Sequence, residues 1–188
     1  MRLFLAANLD ADLRTRLHDA AAVLRDAAPG VSWVPSDRLH TTLKFLGEQD
    51  ASVVPRVASA LATLGDTHDS CNIRLRGYGA FPNFRRPNVV WIGGEPAEPL
   101  VAIAKAIDDA CTALGLPREE RPFRAHVTLG RVKRPLDRRE ALRLETTARA
   151  RHEAFPWHVG SVEIMLSVLG RSGPTYTVLE SVPLRALP

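Results

Sequence analysis

The four residues His40-Thr41-Thr42-Leu43 recur in the second half of the chain as His126-Val127-Thr128-Leu129. Each copy lies in an apolar segment that predicts a β-strand, residues 39–46 for the first and 124–129 for the second, and a glycine follows each segment. Residues i and i+2 of a strand point to the same face. The histidine of each copy and the threonine two positions later therefore share one face, and the leucine anchors the other.

The segments around the two copies repeat an order of strands and amphipathic helices. Further strands are predicted at residues 2–9, 32–34, 71–78, 88–92, 160–168 and 175–183, and the last two are separated by a turn at residues 170–174. Helices are predicted at residues 13–24, 54–64, 100–114 and 137–148, the second of them with Asp50 as its N-cap. Because many connections are short enough for hairpins, this order predicts an α+β fold with antiparallel pairing, not a doubly wound parallel sheet.

Two such strands in pseudo-symmetric lobes bring two imidazoles and two hydroxyls to one cleft. Histidine titrates near neutral pH, so one ring can accept a proton while the other donates one. Threonine hydroxyls can hold the oxygens of a phosphoryl group as charge develops on them. Neither copy has a His, Cys or carboxylate neighbour at the spacing of zinc ligands, so we expect no metal and no cofactor. Four further histidines are interpreted as solvent-exposed bystanders in helices and loops: His18, His68, His152 and His158.

The composition is compatible with such a site. The chain has 188 residues, 45% of them hydrophobic, which is enough for one core or for two small lobes that share a cleft. Its net charge of +4 suits a polyanionic partner but equally suits ordinary solubility. Cys71 and Cys111 match no metal or disulfide pattern, the first residues read as a strand and not as a signal peptide, and no apolar stretch reaches the ~20 residues that span a bilayer. We therefore expect a cytoplasmic protein without membrane contact.

These motifs resemble those of a known family. The chain is similar to the bacterial RNA 2',3'-cyclic phosphodiesterases (LigT-like or ThpR proteins, once called 2'-5' RNA ligases) of the two-histidine (2H) phosphoesterase superfamily. The resemblance covers nearly the whole chain and rests on five blocks in order: residues 2–6, 33–47, 81–93, 123–131 and 173–176.

The resemblance implies a fold and a reaction. The fold is bilobal, with two antiparallel sheets, flanking helices and a central cleft, and residues 1–188 form a single domain of two intertwined lobes. The reaction opens a 2',3'-cyclic phosphate at an RNA end to a 2'-phosphomonoester without a metal. By analogy His40 is the proton donor, His126 is the proton acceptor, and Thr42 and Thr128 hold the phosphate.

Several other residues are candidates for substrate contact. Arg131 follows the second motif after Gly130 and can reach back to a phosphate oxygen. Lys44 shares the face of His40 by alternation, whereas Phe45 is expected in the core. Trp91 and Tyr176 are candidates for stacking on a base, which typically contributes about 1–3 kcal/mol. Four arginines are candidates for contacts with the RNA backbone: Arg85, Arg86, Arg121 and Arg124.

Three functions remain open at this point. The first is cyclic phosphodiesterase activity on RNA ends. The second is the reverse chemistry, 2'-5' ligation of RNA such as tRNA halves, which the same site can catalyse. The third is a non-catalytic module that binds RNA ends. No apolar stripe demands a dimer, so a monomer is expected.

Overall fold

Two antiparallel sheets with flanking helices make up the structure, a computed structural model that describes residues 1–171 and 173–186. The strands are β1 (Arg2–Asn8), β2 (Ser32–Trp33), β3 (His40–Glu48), β4 (Cys71–Phe81), β5 (Val89–Glu95), β6 (His126–Arg131), β7 (Ala154–Val159), β8 (Ser161–Gly170) and β9 (Gly173–Pro183). The helices are α1 (Ala11–Ala20), α2 (Ala22–Ala27), α3 (Val53–Thr67), α4 (Glu98–Ala113) and α5 (Arg138–Arg149), with a 3₁₀ turn at Ser36–Arg38. None of the helices in these ranges has the length and apolar character needed to cross a membrane.

The two sheets place the repeated motifs side by side. Sheet A has the strand order β3-β1-β8-β9, and sheet B has the order β2-β6-β5-β4-β7. The pairs between these strands are antiparallel, which confirms the expected α+β class. The first motif lies on β3 at the edge of sheet A. The hydroxyl of Thr41 on this strand donates to the carbonyl oxygen of His126 on β6 (3.0 Å), so the two motif strands are direct neighbours.

One face of each sheet packs on a shared core. Leu3 and Leu5 of β1 and Ile92 of β5 belong to the same cluster of buried side chains, which also contains the apolar faces of the helices. Burying side chains of this size stabilises a fold by roughly 1.5–3 kcal/mol each. The opposite face of sheet A carries a small separate cluster of Phe4, Ala6 and Met165, with Tyr176 packed against it. The second faces of the two sheets therefore remain available to form the cleft.

Strand β7 was not predicted from the sequence. Pro156 lies in its middle and lacks the N–H that a central strand needs. The structure resolves this conflict because β7 is the edge strand of sheet B and, within the described residues, pairs with β4 alone. His158, interpreted from the sequence as a bystander in a loop, consequently lies on a strand.

Two helix predictions were wrong in detail. The N-cap of α3 is Ser52, and the carboxylate of Asp50 instead accepts a hydrogen bond from the backbone N–H of Ser52 (2.9 Å). The first predicted helix is divided at Ala21 into α1 and α2. The predicted turn at residues 170–174 includes Ser172, which lies outside the described residues, although Gly170 and Gly173 on either side of it are paired as the end of a hairpin.

Strand β3 does not keep a simple alternation. Its register against β1 shifts twice. Ala6 pairs with Thr42 but Leu5 pairs with Lys44, which leaves Leu43 as the extra residue of the first bulge. The second shift lies between Leu3 and Phe4 of β1. Each β-bulge adds one unpaired residue and reverses the faces of the residues beyond it. Lys44 is therefore buried, with 2% of its surface exposed, whereas Phe45 is 59% exposed. Both predictions for these two residues were wrong for this reason.

Candidate active site

The imidazole of His40 is held in one orientation by two hydrogen bonds. Its Nδ1 lies 2.8 Å from the carbonyl oxygen of Arg38, and its Nε2 lies 3.1 Å from the hydroxyl of Thr42. A carbonyl oxygen only accepts, so Nδ1 must carry a hydrogen. In the neutral ring Nε2 is therefore the unprotonated nitrogen, and it accepts from Thr42.

His126 has the same arrangement. Its Nδ1 lies 2.7 Å from the carbonyl oxygen of Arg124, again the residue two positions earlier in the chain. Nε2 is thus the nitrogen available for proton transfer in this ring as well. Thr128 lies on the same face of β6 as His126 by strand alternation, as Thr42 does relative to His40 on β3.

Both histidines are weaker bases than an exposed imidazole. Burial lowers the pKa of His40 to about 4, against the raising effect of the Arg38 carbonyl, and the positive charges of Arg14 and Arg131 and the neighbouring His126 lower it further. Burial likewise lowers the pKa of His126, and Arg131 adds to this effect. Both rings are consequently neutral at pH 7 in the free protein, with their Nε2 atoms able to accept protons.

Arg131 is the residue that connects the two halves of the site electrostatically. It is the last residue of β6, its side chain is exposed, and its charge lowers the pKa of both histidines. Arg14 on α1, which the sequence did not single out, lowers the pKa of His40. One of its guanidinium nitrogens donates weakly to the carbonyl oxygen of Asp37 (3.4 Å), in the 3₁₀ turn that precedes His40.

Each histidine is also flanked by two aromatic rings. The ring of His40 lies 5.1 Å from that of Phe4 and 5.1 Å, edge to face, from that of Tyr176. Tyr176 was predicted to be near the substrate, whereas the position of Phe4 is evident only from the structure. Phe45 extends this group of rings, 6.3 Å from Phe4.

Phe81 and Trp91 flank the second histidine. Phe81 lies 5.2 Å from His126, edge to face, and Trp91 lies 6.3 Å from it. The indole of Trp91 lies across Gly79 of the next strand, where an added Cβ would overlap the ring. Arg124 lies over Phe81 at 5.8 Å, a cation–π distance.

The other three arginines predicted to contact RNA are exposed in loops. Arg85 and Arg86 are exposed in the β4–β5 turn, where the side chain of Asn83 accepts from both backbone N–H groups. Arg121 is exposed in the segment before β6.

Lys44 is a structural residue and not a cleft residue. Its ammonium group donates to the carboxylate of Asp108 on α4 (2.6 Å) and to the carbonyl oxygen of Pro117 (2.7 Å). Burial acts to raise the pKa of Asp108, but the hydrogen bonds from Lys44 and from the backbone N–H of Glu119 outweigh it and the pKa is lowered. The pair ties β3 to α4 and to the segment that leads to the second motif.

The described residues contain no group of three or more His, Cys, Asp or Glu side chains placed to hold a metal ion. What the site does provide is two oriented imidazoles, hydroxyls from two threonines and the charge of Arg131. Such a set can transfer protons on both sides of a bound anionic group.

Comparisons with known proteins agree with this geometry. The sequence matches the 2'-5' RNA ligase superfamily over residues 9–171. It is 32% identical to the RNA 2',3'-cyclic phosphodiesterase of Methanothermobacter thermautotrophicus, covering 96% of this chain and 97% of the relative. It is also 32% identical to the protein of the same name from Thermus thermophilus, covering 98% of this chain and 91% of the relative.

Solved structures share the fold. A crystal structure of a protein from Thermus thermophilus matches with a TM-score of 0.80 and 31% identity over 99% of both chains. E. coli LigT in its apo form matches with a TM-score of 0.74 and 24% identity over 98% of this chain and 97% of that one, a likeness of fold. On the family match and the relatives together, the chain belongs to the 2'-5' RNA ligase superfamily.

Proposed function

We propose that this protein hydrolyses 2',3'-cyclic phosphates at RNA ends to 2'-phosphomonoesters by acid–base catalysis with two histidines. The observation that carries the proposal is the pair of imidazoles on adjacent strands. Each has its Nδ1 fixed by a backbone carbonyl, so that its Nε2 is the reactive nitrogen. The relatives that carry the name RNA 2',3'-cyclic phosphodiesterase support the substrate class.

The proposed reaction needs one proton acceptor and one proton donor. Nε2 of His126 takes a proton from water, whose oxygen forms a new bond to phosphorus. The bond between phosphorus and the 3'-oxygen breaks, and Nε2 of His40 gives its proton to that oxygen. Each proton transfer is typically worth about 10²–10⁴-fold in rate. Hydroxyl donors from Thr42 and Thr128 hold the non-bridging oxygens.

The substrate itself supplies the condition that makes His40 an acid. In the free protein burial keeps the pKa of His40 at about 4, so the ring is neutral at pH 7. A phosphate anion bound within a few ångströms stabilises the imidazolium form and raises that pKa. Substrate binding and protonation of the donor are therefore coupled, while Arg131 balances the charge of the phosphate.

The test is turnover of a defined RNA. The protein, His40→Ala, His126→Ala and the control His152→Ala are incubated with an RNA ending in a 2',3'-cyclic phosphate, in excess EDTA. Phosphorus NMR identifies the position of the product phosphate. We expect a 2'-phosphate from the unmodified protein and the control, and a loss of at least about 100-fold in each of the other two variants.

The contrary results point to different functions. Turnover abolished by EDTA in the unmodified protein contradicts a reaction that needs no metal. RNA binding that survives both alanine substitutions, without turnover in any of the proteins, identifies a module that binds RNA ends.

Ligation is a second candidate because the family is described as 2'-5' RNA ligases. A 5'-hydroxyl can take the place of water: His126 accepts its proton, its oxygen bonds to phosphorus, and the 3'-oxygen leaves with the proton of His40. The product is then a 2'-5' phosphodiester. Paired tRNA halves, one with a cyclic phosphate end, test for it. Joined product formed at a rate comparable to hydrolysis supports ligation, and hydrolysis alone argues against it.

We further propose that the protein acts as a monomer in the cytoplasm. The fold already unites both histidine motifs in one chain, so a second copy is not needed to complete the site. Light scattering coupled to size-exclusion chromatography measures the mass, and a mass twice that of the chain contradicts the proposal. Fractionation of cells measures the compartment.

A further inference from the structure

The open face of sheet B continues well beyond His126. His126 on β6, Gly93 on β5 and Arg76 on β4 are paired in register and form one row across three strands. Adjacent strands lie about 4.8 Å apart, so the backbone of Arg76 is roughly 10 Å from that of His126. Gly93 has no side chain, and a Cβ at this position would meet the indole of Trp91 at 3.4 Å, so that ring borders the row.

Beyond Arg76 the same face forms a groove of roughly 800 Å³. Six of the residues that line it are Asn72, Arg74, Arg76, Glu95, Pro156 and His158. Register places Asn72 opposite His158 and Arg74 opposite Pro156, so these side chains share the face of Arg76. Helix α5 also contacts β4, and its buried residues are Ala141, Leu144 and Ala148. Because these residues face the core, α5 packs on the core face of the sheet and does not cover the groove on the opposite face.

The charge of the groove favours an anionic chain. Arg76 lies 3.6 Å from Glu95, but both side chains are more than half exposed, and such pairs contribute about 0–1 kcal/mol. Arg74 makes no ion pair within the described residues. Phosphate groups can therefore compete for both guanidinium groups at little cost, and phosphate contacts dominate the affinity of proteins for nucleic acids.

We propose that this groove binds the nucleotides on the 5' side of the cyclic phosphate, so that the protein prefers RNA chains to cyclic mononucleotides. The inference rests on the proposed function. A 2',3'-cyclic phosphate is the 3' end of its chain, so the rest of the RNA leaves the site on the 5' side alone. The route to the groove runs from His126 along the row through Gly93, beside the rings of Trp91 and Phe81, which offer surfaces for a base to stack on.

The experiment compares two substrates with the same terminal nucleotide. The value of kcat/KM is measured for the cyclic mononucleotide and for an octanucleotide with a cyclic phosphate end, over a series of salt concentrations. We expect the octanucleotide to be preferred by the unmodified protein. In the double variant Arg74→Gln/Arg76→Gln, the ratio of kcat/KM for the octanucleotide to that for the mononucleotide should fall at least about tenfold. The slope of log(kcat/KM) against log salt concentration for the octanucleotide should become less steep by about one for each arginine.

Two further variants make the test specific. Glu95→Gln removes the competing carboxylate, so the preference for the octanucleotide should rise. Arg143→Gln removes an exposed arginine on α5 and should leave the preference unchanged. Fluorescence anisotropy with an octanucleotide that ends in a 2'-phosphate measures binding in the same four proteins without turnover.

The outcomes separate the two proposals. No hydrolysis of either substrate overturns the proposed function, and the anisotropy series then decides on the groove alone. Hydrolysis of both substrates with equal kcat/KM, or a preference that the double variant retains, overturns the groove. Loss of affinity in the double variant with unchanged unfolding in urea supports it.

Discussion

At the scale of single residues, the two histidines owe their chemistry to backbone atoms. Each ring donates from Nδ1 to the carbonyl of the residue two positions before it, Arg38 or Arg124. Since these acceptors are backbone groups, the tautomer depends on the path of the chain into each strand and not on the side chains at those positions. The motif can therefore be read from sequence, but the tautomer of each histidine cannot.

The positive charge of Arg131 should set the pH dependence of the reaction. It lowers the pKa of both His40 and His126, so replacing it with glutamine raises both values. The profile of kcat/KM reports the free protein. Because one histidine must be protonated and the other neutral, kcat/KM should follow a bell-shaped curve against pH, with an optimum below pH 6.5 in the unmodified protein. In Arg131→Gln we expect the whole curve to move to higher pH and its maximum to be lower. An optimum that does not move in this variant contradicts the prediction; Arg134→Gln is the matched control.

At the scale of elements, the bulges of β3 decide which side chains reach the cleft. They turn Lys44 into the core, where it meets Asp108, and they turn Phe45 outward beside Phe4. Regular alternation predicts the reverse for both residues. The shift is a property of the pairing between β1 and β3, so it appears only when both strands are present.

The ion pair between Lys44 and Asp108 should contribute measurably to stability. The carboxylate of Asp108 is 13% exposed, and Lys44→Met removes its main partner. We therefore expect the free energy of unfolding, measured with urea, to fall by about 3 kcal/mol. Lys105→Met breaks a pair of equal length on the same helix, 2.6 Å, in which the lysine side chain is 74% exposed, and should cost at most about 0.5 kcal/mol. Equal losses in the two variants would falsify the difference attributed to burial.

The packing of Trp91 over Gly79 gives a second test at this scale. Gly79→Ala places a methyl group against the indole and should destabilise the protein by about 1–3 kcal/mol. In a Trp91→Leu background the same substitution should cost at least about 1 kcal/mol less, a coupling that a double-mutant cycle measures. Additive effects would show that the two residues do not constrain each other.

At the scale of the whole molecule, both sheets pack on one continuous core. We therefore propose that the two lobes are a single domain and unfold together. The three tryptophans, Trp33, Trp91 and Trp157, all lie on strands of sheet B, so their fluorescence follows that sheet, whereas far-ultraviolet circular dichroism follows the whole chain. We expect coincident urea transitions by the two probes. A dichroism change that continues after the fluorescence change is complete shows that sheet A unfolds separately.

Much of the fold could be predicted because the periodicity of its elements is strong. The two motifs themselves, residues 40–43 and 126–129, alternate regularly, and the helix faces with Val57 or Ile107 keep a helical period. Strand β7 could not be predicted, because Pro156 is unfavourable in a strand until the strand is known to lie at an edge. The N-cap of α3 was misplaced by two residues because Asp50 and Ser52 are both good capping residues and local sequence does not choose between them.

The sequence by itself determined the class of fold, the family and the two pairs of histidine and threonine, because a repeated motif and strand alternation are local properties. The tertiary structure decided what those residues can do. It set the lowered pKa of each histidine, the rings that flank them, the burial of Lys44 and the row of paired residues from His126 to Arg76. These features depend on burial and on pairing between distant strands, and both arise only when remote parts of the chain come into contact.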